Sequence, residues 1–168
     1  THGTLKLPSG ETQVGDFDKD TGRLTKGILR LVSGVTKEGD FDKDTGKLIK
    51  GKIVFTSGEI LDGTFDRTTE NITTGTRIYE KGSKIEIAKG TWDKNGKLSG
   101  VIKLKDGRMF RGKWDKNGNQ IGTIKVATSM GEEETAPTTP PPITAPSTRP
   151  PAKETTEKNS CQTPLEQC

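Results

Sequence analysis

Three aspartates alternate at Asp16, Asp18 and Asp20, just ahead of Gly22, and the same spacing returns at Asp40, Asp42 and Asp44 ahead of Gly46. Calcium takes roughly six to eight oxygen ligands, so an oxygen-rich loop of this kind raises a calcium site on these six residues. Two features weigh against it. The glycine falls one place later than an EF-hand loop requires, and no acidic residue stands where the bidentate ligand belongs. The corresponding stretches further along, Asp66-Arg67-Thr68-Thr69, Asp93-Lys94-Asn95-Gly96 and Asp115-Lys116-Asn117-Gly118, lose carboxylates but keep turn formers. What persists is turn chemistry, in which Asx side chains bond the local backbone and Gly accepts positive φ. The turn reading is preferred, and no cofactor is implied.

Catalysis meets the same objection. Asp16 and Asp18 would stand about 7 Å apart along a strand, a separation known from inverting glycoside hydrolysis. Yet the pair recurs at Asp40 and Asp42, and an active site is seldom repeated in tandem. His2 is the only histidine and has no recognisable nucleophile near it, and the chain has neither a Gly-rich phosphate loop nor a zinc ligand set. No catalytic residue is assigned, and the chain reads as non-enzymatic.

The elements that carry these residues follow from composition and period. Of the 168 residues only 27% are hydrophobic and 21 are glycine, which argues against a thick central core and suits a thin, repetitive β structure. Thr1 to Met130 carries 24 Lys and Arg against 17 Asp and Glu, while Gly131 to Cys168 carries three against six. The positive excess of the body favours anionic surfaces, but Lys and Asp are interspersed and form no basic block, and no nucleic-acid platform can be recognised. No segment approaches the ~20 apolar residues of a membrane-spanning helix.

Gly3, Gly27, Gly51, Gly75, Gly100 and Gly122 recur at spacings of 24, 24, 24, 25 and 22 residues. A second glycine follows seven residues later, at Gly10, Gly34, Gly58, Gly82 and Gly107, and a third lies two residues before an aromatic, at Gly15, Gly39, Gly63, Gly90 and Gly112. Five units and the start of a sixth are present. Within them apolar residues alternate, as Leu5/Leu7, Leu29/Leu31, Ile53/Phe55, Ile102/Leu104 and Ile124/Val126, which is the period of a half-buried strand. Ser-Gly or Asp-Gly after these strands supplies the tight turn. The expectation is an all-β fold: an elongated antiparallel meander of five to six tandem β-hairpin repeats over residues 1–130. Phe17, Phe41, Phe65, Trp92 and Trp114 should form an aromatic ladder on its buried face, each ring covering the open backbone of a neighbouring glycine.

These residues resemble MORN (membrane occupation and recognition nexus) repeats, whose pattern is roughly Y-x-G-x-[WF] followed by spaced glycines. "FRGKWDKNGNQIGTIKV", Phe110 to Val126, is the nearest match, and "LDGTFD" from Leu61 is similar. The resemblance runs from Gly3 to Val126, about three quarters of the chain. Departures are Gln13 and Lys37 at the Tyr position, Asn71 in place of a turn glycine, Arg77 where an apolar residue belongs, and three added residues in the fourth unit. The resemblance implies a half-open β meander acting as a scaffold, dimerisation rod or targeting module.

Beyond Met130 the composition turns to Pro and Thr. Residues 131–160 read as an extended linker or stalk, and 161–168 as a short segment holding Cys161 and Cys168, which could close a small loop with each other or bridge to another chain. With Asn71-Ile72-Thr73 as an N-glycosylation sequon, this suits an extracellular or cell-surface setting, a cytoplasmic scaffold being the alternative. The first and last strands of a meander expose unpaired backbone, so the reading is a structural protein that self-associates, head to tail into a filament, through those edges. The alternative is a binding module whose Lys-rich face meets an anionic lipid head group, an acidic polysaccharide or a protein.

Overall fold

A computed structural model describes residues 1–131. Of the Thr/Pro-rich segment only Gly131 is therefore included, and Cys161 and Cys168 lie outside the described residues. Eleven strands follow one another: β1 (His2–Lys6), β2 (Thr12–Phe17), β3 (Leu24–Arg30), β4 (Thr36–Phe41), β5 (Leu48–Val54), β6 (Ile60–Phe65), β7 (Ile72–Ile78), β8 (Ile85–Trp92), β9 (Leu98–Leu104), β10 (Met109–Trp114) and β11 (Gln120–Val126). They form one open antiparallel sheet in sequence order, a β-hairpin meander without a helix among the described residues. No helix there is long and apolar enough to cross a membrane.

Two kinds of turn close every connection but that between β7 and β8, where the Ser83 amide donates to the Glu80 carbonyl at 3.1 Å. At one end, the amides of Gly10, Gly34, Gly58 and Gly107 donate to the carbonyls of Leu7, Leu31, Phe55 and Leu104 at 2.9–3.0 Å. At the other end lie the aspartate turns, in a longer and a shorter form. Asp18, Asp42 and Asp66 each open a six-residue connection in which the amide of Gly22, Gly46 or Glu70 donates to the aspartate carbonyl four residues back. Asp93 and Asp115 open five-residue connections in which Gly96 and Gly118 donate three residues back.

Glycines line up across the sheet. Gly3 pairs with Gly15, Gly15 with Gly27, Gly27 with Gly39, and the row continues through Gly51, Gly63, Gly75, Gly90 and Gly100 to Gly112. The Gly39–Gly51 pair shows why no side chain fits. A Cβ on Gly51 would lie 2.0 Å from the Glu38 carbonyl oxygen and 2.8 Å from the Gly39 Cα, and the backbone φ there is 140°. The neighbouring atoms are backbone and cannot swing away, so at this pair, as at Gly15–Gly27, Gly63–Gly75 and Gly90–Gly100, the strands approach more closely than any L side chain permits.

One face of the sheet is apolar. Phe41, Phe65, Trp92 and Trp114 are buried on it in one cluster, with Phe17 half-buried against them. The rings do not stack on one another alone. Across each hairpin Phe17 pairs with Leu24, Phe41 with Leu48, Phe65 with Ile72 and Trp92 with Leu98, so an aliphatic side chain stands between successive aromatics. Leu48 is the most enclosed of them, at 0% exposure. In the first three hairpins the register slips by one residue beside this pair, leaving Thr25, Ile49 and Thr73 as bulges. In β8–β9 the pairing from Trp92 to Gly90 is regular, and the slip lies instead at Glu86.

Candidate functional site

The aspartates serve the turns that hold the hairpins. Asp18 Oδ1 accepts from the Asp20 and Thr21 amides and the Thr21 hydroxyl at 2.8–3.1 Å. Asp42 repeats this with Asp44 and Thr45, and Asp66 with Thr68 and Thr69. Asp93 takes the amides of Asn95 and Lys97, and Asp115 those of Asn117 and Asn119. These bonds hold all five carboxyls below the ordinary carboxylate value, with the Thr21, Thr45, Thr69 and Lys97 amides as the leading cause at the first four and the Asn119 side chain at Asp115. The other aspartates of the two triplets point elsewhere. Asp16 meets His2 Nδ1 at 2.9 Å and Asp44 meets Lys43 Nζ at 2.8 Å, both exposed, while the Asp20 and Asp40 side chains bond to none of the described residues. Among the described residues no three acidic, His or Cys side chains gather around one point.

The polar residues that break the repeat come together on the apolar face. Lys37, Ile53, Leu61 and Arg77 stand side by side on β4, β5, β6 and β7. The cations thus flank two aliphatic residues at positions that belong to the core. Each has a carboxylate. Lys37 Nζ donates to Glu70 Oε2, and both side chains are largely buried. Arg77 Nε lies 2.7 Å from Glu59 Oε1 without pointing its N–H at that oxygen, so the contact is an ion pair rather than a formed hydrogen bond. The Arg77 guanidinium also lies over the Tyr79 ring, 4.5 Å from its centre, and burial pushes the Tyr79 phenol up.

Glu70 corrects one sequence-based expectation. The residue standing in for the turn glycine is Glu70, with Asn71 one place beyond it. Gly22, Gly46 and Glu70 occupy equivalent places with φ of 69°, 72° and 60°, and Glu70 is the only described non-glycine with positive φ. Such a backbone costs on the order of 1 kcal/mol and persists where surroundings over-determine it. Here the carboxylate does so: Oε1 accepts the Leu48 amide at 2.7 Å while Oε2 takes Lys37. Asn71 is exposed beside it, at the mouth of the same depression, and Thr73 of the sequon bonds Thr64 across the hairpin at 2.9 Å.

The result is a groove of about 600 Å³ over β4 to β7, floored by Ile53, Leu61 and Ile72, walled by the two ion pairs, and bounded by Trp92 and the Asp93–Gly96 turn. Its charges are already compensated inside, while Lys94 and Lys116 stand at the rim. Such a surface can seat a chain with polar and apolar sides by hydrogen bonding and contact. Sequence reasoning flagged Lys37 and Arg77 as departures but assigned neither to a site, and it did not single out Glu59 or Glu70. The available signal was the missing glycine at position 70.

The remaining reactive feature is backbone. Among the described residues β1 and β11 each have a neighbour on one side only. β1 is regular along its length, whereas β11 departs from register between Arg111 and Lys113 and carries Gly122 at φ 70°. No family model matches the chain, and no curated protein matches it.

Proposed function

We propose that the chain is a non-enzymatic repeat scaffold that associates with other chains through the edges of its sheet. The observation that carries this is the open eleven-stranded meander, in which β1 and β11 each have a strand neighbour on one side only among the described residues. The repeated use of aspartates as turn formers, at Asp18 and Asp42 alike, supports a structural role for them. The spacing of glycines and aromatics resembles MORN repeats, and that resemblance supports the scaffold reading. A Thr- and Pro-rich tail with two cysteines supports an extracellular or cell-surface setting. Light scattering and electron microscopy of the purified chain across a concentration series, with and without reductant, test the proposal: mass rises with concentration, and a chain that stays single throughout overturns it.

A second reading rests on the groove. The rim lysines, Lys94 and Lys116, favour a partner chain with acidic groups, seated over Ile53 and Leu61. Salt-sensitive binding by a single chain, lost when both lysines are changed in a Lys94→Glu, Lys116→Glu variant, would mark this reading as the correct one.

A further inference from the structure

The polar face of the sheet changes character along its length. Beside the glycine row, Asp16, Lys26, Asp40 and Lys50 stand next to one another on β2 to β5, alternating in sign. Charges in that stretch compensate their neighbours. From β6 to β9 the same row reads Thr64, Thr74, Thr91 and Ser99, and on β10 it reaches Lys113. A hydroxyl or an ammonium group thus recurs at every strand interval of ~4.8 Å, and no carboxylate interrupts this stretch of the row.

The far end of the row is recessed. Thr91, Ser99 and Lys113 line a depression of about 480 Å³ together with Lys97, Asp93 and Ile121. Thr91 and Ser99 adjoin the buried Trp92 and Leu98 in sequence, so strand alternation turns them to the face opposite the core. Among the described residues the Ser99 hydroxyl has no partner, and that of Thr91 has only a 3.5 Å contact with the Ser99 carbonyl. Lys97 and Lys113 are exposed and form no ion pair there. Asp93 is the acid in the lining, and its Oδ1 is already bonded to the Asn95 and Lys97 amides. Ile121, 38% exposed, adds an apolar edge.

Hydroxyls spaced along a line, two ammonium groups and one apolar edge match a sugar chain that carries acid groups. Side-chain hydroxyls both donate and accept, as sugar hydroxyls do. Ammonium groups make charge-assisted bonds to carboxylate or sulfate. A sugar ring lays its C–H face on an aliphatic side chain, and successive rings advance by about one strand interval. A single nucleic-acid strand would call for exposed aromatic rings under its bases, and Trp92 beside the row is buried. We infer that this end of the polar face binds an acidic polysaccharide laid across β7 to β10, its acid groups at Lys97 and Lys113 and its hydroxyls along Thr74, Thr91 and Ser99. The site lies on the other face from the groove over β4 to β7 and does not depend on self-association.

Calorimetric titration of the full chain with polygalacturonate and with dextran sulfate at physiological ionic strength tests this, with uncharged dextran as the control. One or both acidic polymers should bind and dextran should not. A Lys97→Glu, Lys113→Glu variant should bind at least about tenfold more weakly. Lys94→Glu, Lys116→Glu makes the same change in net charge on the groove side and should stay within about twofold of the parent. Thr91→Val with Ser99→Ala leaves the charge untouched and should weaken binding about threefold. Positions 91, 97, 99 and 113 are all exposed, so thermal midpoints of these variants should match the parent's. Equal losses in the two lysine variants, or full affinity in the hydroxyl variant, would reveal a general attraction for polyanions and overturn the site. Loss confined to Lys94→Glu, Lys116→Glu would move the anion to the groove and overturn it as well. Polyphosphate binding as tightly as the acidic sugars, or no binding by either acidic polymer, would do the same.

Discussion

The hairpins β2–β3, β4–β5 and β6–β7 set their paired glycines twelve residues apart, whereas β8–β9 sets Gly90 and Gly100 ten apart. Both arrangements deliver the same product, an aromatic paired with an aliphatic residue on the buried face. The longer version spends one more residue in its turn and one in a bulge at Thr25, Ile49 or Thr73. The difference can be read in the spacing between aliphatic residue and glycine. Leu24, Leu48 and Ile72 lie three residues before Gly27, Gly51 and Gly75, while Leu98 lies two before Gly100. Side chains on one face of a regular strand are an even number of residues apart, so an odd separation forces an extra residue out of the ladder. What the repeat preserves is facing and glycine alignment, and loop length is free to vary around them.

The strongest way to break this comparison is deletion. Removing Ile49 leaves Leu48 two residues before the glycine, as in β9, and should cost no more than about 2 kcal/mol of stability. Removing Lys52 instead turns Ile53, 3% exposed, to the polar face and should cost more than about 4 kcal/mol or prevent folding. Urea denaturation of the two variants checks the contrast, and equal losses would refute the bulge argument.

A smaller effect separates the third aspartate turn from the first two. Glu70→Gly restores the residue its siblings use and relieves a positive φ, yet leaves the buried Leu48 amide and the Lys37 ammonium without their acceptor. An orphaned buried donor costs about 1–3 kcal/mol, more than the relief returns, so the variant should be less stable than the parent by about 1 kcal/mol. Adding Lys37→Leu should recover part of that loss. A Glu70→Gly chain more stable than the parent would show that the ion pair contributes nothing.

The smallest effect is in acid. Asp18, Asp42, Asp66, Asp93 and Asp115 have folded values below their ordinary 3.8, so the stability they contribute is complete well above 3.8 and is lost as pH falls through the lowered values. The thermal midpoint should change little on their account from neutral pH to about 5 and decline below 3.8. Asp42 accepts three bonds and has Arg67 at 3.6 Å, whereas Asp93 accepts two. Asp42→Asn should therefore soften the acid decline more than Asp93→Asn, and scanning calorimetry across that range measures the difference.

Much of this was legible in the residues themselves. Period-two alternation marked the strands, Gly-x-aromatic spacing marked the buried face, and the loss of carboxylates from the later aspartate stretches identified those loops as turns. Two features were harder. The aliphatic partners Leu24, Leu48, Ile72 and Leu98 escaped notice because an odd spacing breaks the alternation that reveals strand residues. Asn71 reads as the turn-glycine substitute because a six-residue connection is hard to align by composition when Thr68 and Glu70 replace its Asp and Gly.

By itself the sequence determined the all-β class, the hairpin order and the aspartate turns, since each depends on residues within a few positions of one another and on local backbone preference. Tertiary structure alone decided that Lys37, Glu59, Glu70 and Arg77 share one groove and that the glycines from Gly3 to Gly112 align in one row across the sheet. Those facts depend on register summed across several strands, where a one-residue slip anywhere redirects every side chain that follows.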